Sequence, residues 1–147
     1  VPSWGEIEAA APDFARKVRI LFDAHKHKTL ATLRRDGSPR ISGTEMDFSD
    51  GEVFIGMMPA SVKFADVERD PRVALHSGSE DPPTDDPASW PGDAKIAGRA
   101  VEVPEASFKR FRIDITEVVL IRVGRPADHL EIESWHPGRG LVLRRRR

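Results

Sequence analysis

Two Asp-Gly pairs, Asp36-Gly37 and Asp50-Gly51, stand fourteen residues apart between short β-rich runs. Such a pair favours the left-handed backbone that a tight hairpin turn demands. The flanking runs at 29–33, 40–48 and 53–57 therefore predict three antiparallel strands in sequence. Parallel strands would need crossovers of a dozen or more residues, and no such length separates these runs. In the second run Ile41 lies at opposite parity to Met46 and Phe48, and Gly43 between them predicts a bulge or a close backbone approach.

The chain before this is helical in pattern. Ser3 followed by Glu6 forms a capping box, with Trp4 and Ile7 opening an apolar stripe. Pro12 suits the first turn of a second helix, where Phe14, Val18, Leu21 and Phe22 recur at spacings of three and four. These N-terminal helices occupy 1–25. Beyond the hairpins Pro59 breaks the strand pattern, 61–68 reads as a short helix, and Asp70-Pro71 stops it. Strands follow at 73–77, 94–103, 114–123, 130–135 and 141–144. Residues 79–93 hold four prolines and five acids, which predicts a mobile surface loop and a lid over a cleft. Seven or eight short strands with few helices make a mainly β chain and favour a closed or nearly closed antiparallel barrel. The length of 147 residues fits a single domain, 1–147.

Composition removes several chemistries. Cysteine is absent, which excludes disulfide scaffolds, thiolate zinc sites, iron–sulfur clusters and cysteine nucleophiles. No apolar run approaches the twenty or so residues of a membrane helix, so no membrane partner is expected. The start shows no signal-peptide pattern, which predicts a cytoplasmic protein. Residues 144–147 are four arginines; the other nineteen basic residues face 24 acids. A mildly acidic body with a basic tail is unlike a nucleic-acid-binding domain, and the tail reads as a solvated end.

The segment 56–63 delivers a strand edge into a helix start. It places free N–H groups, the Ser61 hydroxyl and the Lys63 ammonium within one turn, as a phosphate site requires. An N-cap serine beside an exposed lysine is the plainer alternative. Arg40 and Ser42, two apart on a strand, share a face and could reach the same anion, or simply face solvent. His25 and His27 lack a completed ligand set, so no metal is expected. Trp135 closes a strand before a turn, where it either fills the core or covers a flat ligand. There is no Gly-x-Ser-x-Gly elbow, Walker loop or zincin motif, and no catalytic residue is assigned.

In order along the chain, these segments resemble the pyridoxamine 5′-phosphate oxidase-like FMN-binding split-barrel family. Thr29-Leu30-Ala31-Thr32-Leu33-Arg34-Arg35-Asp36-Gly37-Ser38-Pro39 looks like its first hairpin. Lys63 followed by Arg69-Asp70-Pro71-Arg72-Val73-Ala74-Leu75-His76 is similar to its lysine, short helix, Asp-Pro-Arg and strand series. Gly98-Arg99-Ala100-Val101-Glu102-Val103 resembles the next strand, and the likeness runs over about 15–125.

The resemblance implies a six-stranded antiparallel split β-barrel in a homodimer, with FMN in the cleft between subunits. It implies that Ser61 and Lys63 hold the phosphate, helped by Arg40 and Ser42, and that Met57 and Met58 lie along the ring system. The expected function is a flavoprotein oxidoreductase that transfers hydride to or from a small organic substrate. Relatives that bind a deazaflavin, coenzyme F-420, make a reductase the alternative cofactor reading. A non-catalytic flavin- or haem-binding stress-response protein is the alternative from another class. Two departures stand out. The family's oxidase has a C-terminal arginine- and histidine-containing substrate motif, where this chain reads Trp135-His136-Pro137-Gly138-Arg139-Gly140, which speaks against pyridoxamine phosphate as substrate. The connection 103–111 is also shorter than in relatives that insert a helix.

Overall fold

The computed structural model describes residues 3–105 and 107–147. Its order is α1 (Trp4–Ala10), α2 (Pro12–Asp23), β1 (His27–Leu33), β2 (Pro39–Ser49), β3 (Glu52–Met57), α3 (Val62–Arg69), β4 (Arg72–His76), β5 (Asp93–Val103), β6 (Lys109–Val123), β7 (Leu130–His136) and β8 (Gly140–Arg146).

The two Asp-Gly pairs both turn the chain, by different means. At the second, Asp50 and Gly51 both have positive φ (53° and 71°), as a two-residue hairpin turn with strand-matching twist requires. At the first only Gly37 is left-handed. Asp36 acts through its side chain, accepting from the Ser38 hydroxyl at 2.6 Å and the Ser38 N–H at 3.0 Å. Those bonds hold its carboxyl below the usual aspartate range.

Neighbouring strands run β3-β2-β1-β4-β5-β6-β7-β8, and β3 also pairs with β6. That extra pairing closes six antiparallel strands into a barrel. β6 is the strand that makes closure and extension compatible. Its residues 109–112 pair with β3, and its residues 118–123 pair with β7. One edge thus serves two neighbours in succession, and β7–β8 leaves the barrel as a hairpin. β6 begins five residues earlier than the sequence pattern indicated. Arg110 and Arg112 hide a strand alternation in which Phe111, Ile113 and Ile115 are the buried positions.

The core fills from both sides of this arrangement. Ser3 caps α1 by accepting from the Glu6 N–H, and Pro12 opens α2, as their sequence signals indicate. The apolar stripes of these helices pack on the barrel, with Trp4 and Phe22 against Phe48 at ring separations of 4.8 and 6.2 Å. Asp70 ends α3 and accepts from the Arg72 side chain at 2.7 and 3.0 Å, which brings its carboxyl down to about 2.

Three expectations change. Gly43 is not a bulge: β1–β2 register runs unbroken from His27↔Glu45 to Leu33↔Pro39. The irregularity lies between Ala97 and Gly98 on β5 instead. The basic run 144–147 is not a free end either. Arg144, Arg145 and Arg146 pair with Ile132, Glu131 and Leu130, so backbone hydrogen bonding orders the segment while its side chains stay exposed. The loop 79–93 is folded on itself: Trp90 Nε1 donates to the Glu80 carbonyl at 2.5 Å and Ser79 donates to Asp93 at 2.7 Å.

Gly98 and Gly43 give opposite expectations for added side chains. A Cβ at Gly98 would press into the Asp114 carbonyl oxygen and the Ile113 side chain, whereas one at Gly43 would meet nothing within 4 Å. Gly98→Ala should lower stability by ~1–3 kcal/mol, as overpacking does. Gly43→Ala should change it by no more than ~0.5–1 kcal/mol, with stabilisation the expected sign. Urea midpoints of the two variants check both.

Candidate functional site

The site is built around α3. Ser61 is its N-cap, accepting from the Phe64 N–H at 3.2 Å and donating its hydroxyl to the Met58 carbonyl at 2.8 Å. Two further ties fix the helix to the barrel. Near its start, the Lys63 ammonium donates to the Gly43 carbonyl on β2 at 2.8 Å. On its inner face, Asp66 is 2% exposed and accepts from Thr32 at 2.8 Å, Arg40 at 2.7 Å and Arg69 at 3.0 Å. Arg69 also donates to the Leu33 carbonyl at 2.9 Å. Burial alone would raise the Asp66 carboxyl. The three hydrogen bonds and the Arg40 charge outweigh it and hold that carboxyl below its ordinary value.

Beside α3 lies a cavity of about 770 Å³, within the ~300–1,000 Å³ range of cofactor and ligand sites. Gly43, Glu45 and Asp47 project from one face of β2, and Gly56, Met57 and Met58 lead from β3 toward Ser61 and Lys63. Phe108 and Arg110 close the side nearest β6, and His27 also contributes. Phe108 lies over Gly56, where an added Cβ would come within 3.0 Å of its ring. Arg110 stacks on Phe54 at 3.7 Å and faces Asp47 at 3.6 Å. Glu45 faces Lys26 at 3.4 Å. Burial lowers the Lys63 ammonium from its ordinary 10.5.

Of the residues expected at a cofactor site, Met57, Met58, Ser61 and Lys63 line this cavity. Arg40, Ser42 and Trp135 do not. Arg40 is spent on Asp66, an ion pair that sequence spacing does not show. The Ser42 hydroxyl oxygen is buried without a hydrogen-bond partner. Trp135 belongs to the core, 7% exposed. None of residues 79–92 lines the cavity, so within the chain the acidic loop is no lid to it. Sequence reading missed Phe108, Arg110 and Asp66. The one available signal was the alternation 110–113, where Arg110 and Arg112 fall on one face of a strand and Phe111 and Ile113 on the other.

The donor set fits a molecule with an anionic end and a flat apolar body. Lys63 supplies a cation, the exposed Met58 and the half-buried Phe108 supply apolar wall, and the open space at Gly43 admits close approach to the backbone. Among the described residues no group of three His, Asp or Glu side chains is placed to hold a metal ion, and no helix is long and apolar enough to cross a membrane.

This closed six-stranded barrel, with β6 shared between β3 and β7, is a split β-barrel. The sequence model of one family, described as pyridoxamine 5′-phosphate oxidase, matches residues 14–139, and the chain belongs to that family. No curated protein matches it. Solved structures of similar fold include PhzG from Burkholderia lata 383 in complex with tetrahydrophenazine-1-carboxylic acid, at 13% identity and TM-score 0.63, covering 95% of this chain and 88% of that one. A pyridoxamine 5′-phosphate oxidase-related, FMN binding protein from Nostoc punctiforme PCC 73102 has 10% identity and TM-score 0.63, with 100% and 98% covered. An F420 reductase has 15% identity and TM-score 0.51, with 65% and 90% covered. At these identities the likeness shows the fold.

Asp66→Asn removes the charge that both arginines share and should cost ~2–4 kcal/mol of stability at neutral pH. Because the folded-state carboxyl is depressed, its contribution is present above the ordinary value of 3.8 and fades as pH falls below it. The gap between wild type and variant in urea unfolding should therefore stay constant from neutral pH down to about 5 and narrow below about 4.

Proposed function

We propose that this chain is a flavin-dependent oxidoreductase that binds FMN in the cavity beside α3. The observation that carries this reading is the placement of Lys63, Ser61, Met57 and Met58 on one cavity that also has an open glycine wall. Lys63 would hold the phosphate by a charge-assisted contact. Met57, Met58 and Phe108 would contact the ring system and exclude water from it. The bound flavin supplies hydride chemistry, so the protein's part is orientation and electrostatics. Among the neighbours, one is named for FMN binding and another for F420 reduction. The second makes a deazaflavin the alternative cofactor. The absorption spectrum of the purified protein separates a flavin, a deazaflavin, a haem-binding carrier and an empty chain. Turnover of a reduced cofactor with small organic acceptors separates enzyme from carrier.

The active form in this proposal is a homodimer with the cavity at the subunit interface. On the barrel's outer surface Ile41, Ala31, Ala74 and Ala97 stand in direct register across four strands. Ile41 is 74% exposed, and Met58 at the cavity wall is 66% exposed. Apolar groups so placed gain from being covered by a second copy. Sedimentation should show a dimer at micromolar concentration, with an interface above about 2,000 Å² in total. Ile41→Glu should shift it toward monomer.

Lys63→Ala tests the cofactor site directly. Loss of one charge-assisted contact costs ~1.5–3 kcal/mol, or roughly 10- to 150-fold in FMN affinity. Riboflavin, which lacks the phosphate, should bind both proteins alike. Equal FMN affinity in a fluorescence titration would remove Lys63 from the site.

A further inference from the structure

The cavity has a second cationic pole that the cofactor reading leaves unused. Lys63 is tied to Gly43, and Arg110 faces Asp47 on the same strand. Four residues of extended chain separate those two β2 positions, or ~13 Å. A phosphate held at Lys63 therefore does not reach Arg110.

Arg110 is built to receive one. Its guanidinium carbon sits over the Phe54 ring, 3.7 Å from the centroid, which holds the head group against an apolar face. Its side chain is 29% exposed and lines the cavity. Among the described residues its one acidic neighbour is Asp47, whose 3.6 Å separation is an ion pair too long for a hydrogen bond. Asp47 is itself exposed and takes its hydrogen bond from Ser49 at 2.9 Å. The planar fork of N–H donors makes no hydrogen bond to the described residues, and a guanidinium so placed can grip a carboxylate with two parallel bonds. Glu45, the other acid on this wall, faces Lys26, so Asp47 is the one carboxylate paired with Arg110 among the described residues.

We infer that Arg110 is a substrate-binding residue and that the substrate is a flat, largely apolar molecule carrying a carboxylate. The inference rests on the proposed cofactor site for the word substrate, since a phosphate at Lys63 is what assigns Arg110 to the second ligand. Apolar character follows from Phe108 and Met58, the apolar side chains that the cavity wall exposes. Asp47 would release the guanidinium as the carboxylate arrives, a small change for an exposed pair.

The test compares benzoate with its uncharged amide, benzamide, by chemical-shift titration of the full chain with and without FMN. Wild type should bind benzoate ~10-fold or more tighter than benzamide, as a charge-assisted bidentate contact gives. Arg110→Gln should abolish that preference, and Arg110→Lys should keep part of it, because the charge remains and the fork is lost. FMN affinity, read by fluorescence, should match wild type in both variants. The inference is overturned if Arg110→Gln discriminates benzoate from benzamide as well as wild type does. It is also overturned if Arg110→Gln weakens FMN as much as benzoate, because Arg110 would then serve the cofactor. A wild type that binds no FMN defeats the proposed function instead, and the benzoate comparison on the cofactor-free chain still decides Arg110.

Discussion

Asp66 is the interaction on which the geometry of the site depends. Its carboxylate gathers Thr32 from β1, Arg40 from β2 and Arg69 from its own helix. A charge that deep is tolerable only when opposite charges and hydrogen bonds surround it. Two of them come from strands β1 and β2, so the arrangement also sets where α3 lies on the barrel. The positions of Ser61 and Lys63, one turn earlier on the same helix, follow from that placement. A network of this kind contributes uniqueness of position more than net stability.

The cavity takes its shape from a second constraint, the sharing of β6 between β3 and β7. Were β6 to pair with only one of them, either the barrel would stay open or the final hairpin would have no edge to join. The first half of β6 also brings side chains to the cavity. Arg110 pairs in register with Gly56 and leans onto Phe54, two residues back along β3, and Phe108 covers Gly56 in the same diagonal sense. The length of one strand therefore closes the barrel and furnishes a cavity wall.

Much of this was legible in sequence, and the reasons are local. Ser3, Pro12, Asp36-Gly37, Asp50-Gly51 and Asp70-Pro71 punctuate the chain where helices and strands begin or end, because backbone preference acts over a few residues. Lys63 and Ser61 were legible as a pair because they lie within one helical turn. Arg40 misled for the opposite reason: its partner Asp66 is 26 residues away, and no spacing rule reports a buried pair across elements. Ser42 and Trp135 sit at strand positions whose parity was readable and whose surroundings were not. Phe108 and Arg110 were passed over because charged residues broke the apolar run that otherwise marks a strand.

Barrel closure has a consequence for how the chain is made. Residues 54–57 find their second neighbour only at 109–112. Until β6 leaves the ribosome, β3 and β5 both present bare edges, the condition under which strands pair with the wrong chain. At ~5–20 residues per second the wait lasts several seconds. Here α1 and α2, synthesised before β1, put Trp4 and Phe22 against Phe48 and give the early hairpins an apolar partner during that interval. The β7–β8 hairpin follows β6 and joins an already closed barrel. It is the unit that can peel away and return without opening the cavity, the pattern of a separate low-energy opening.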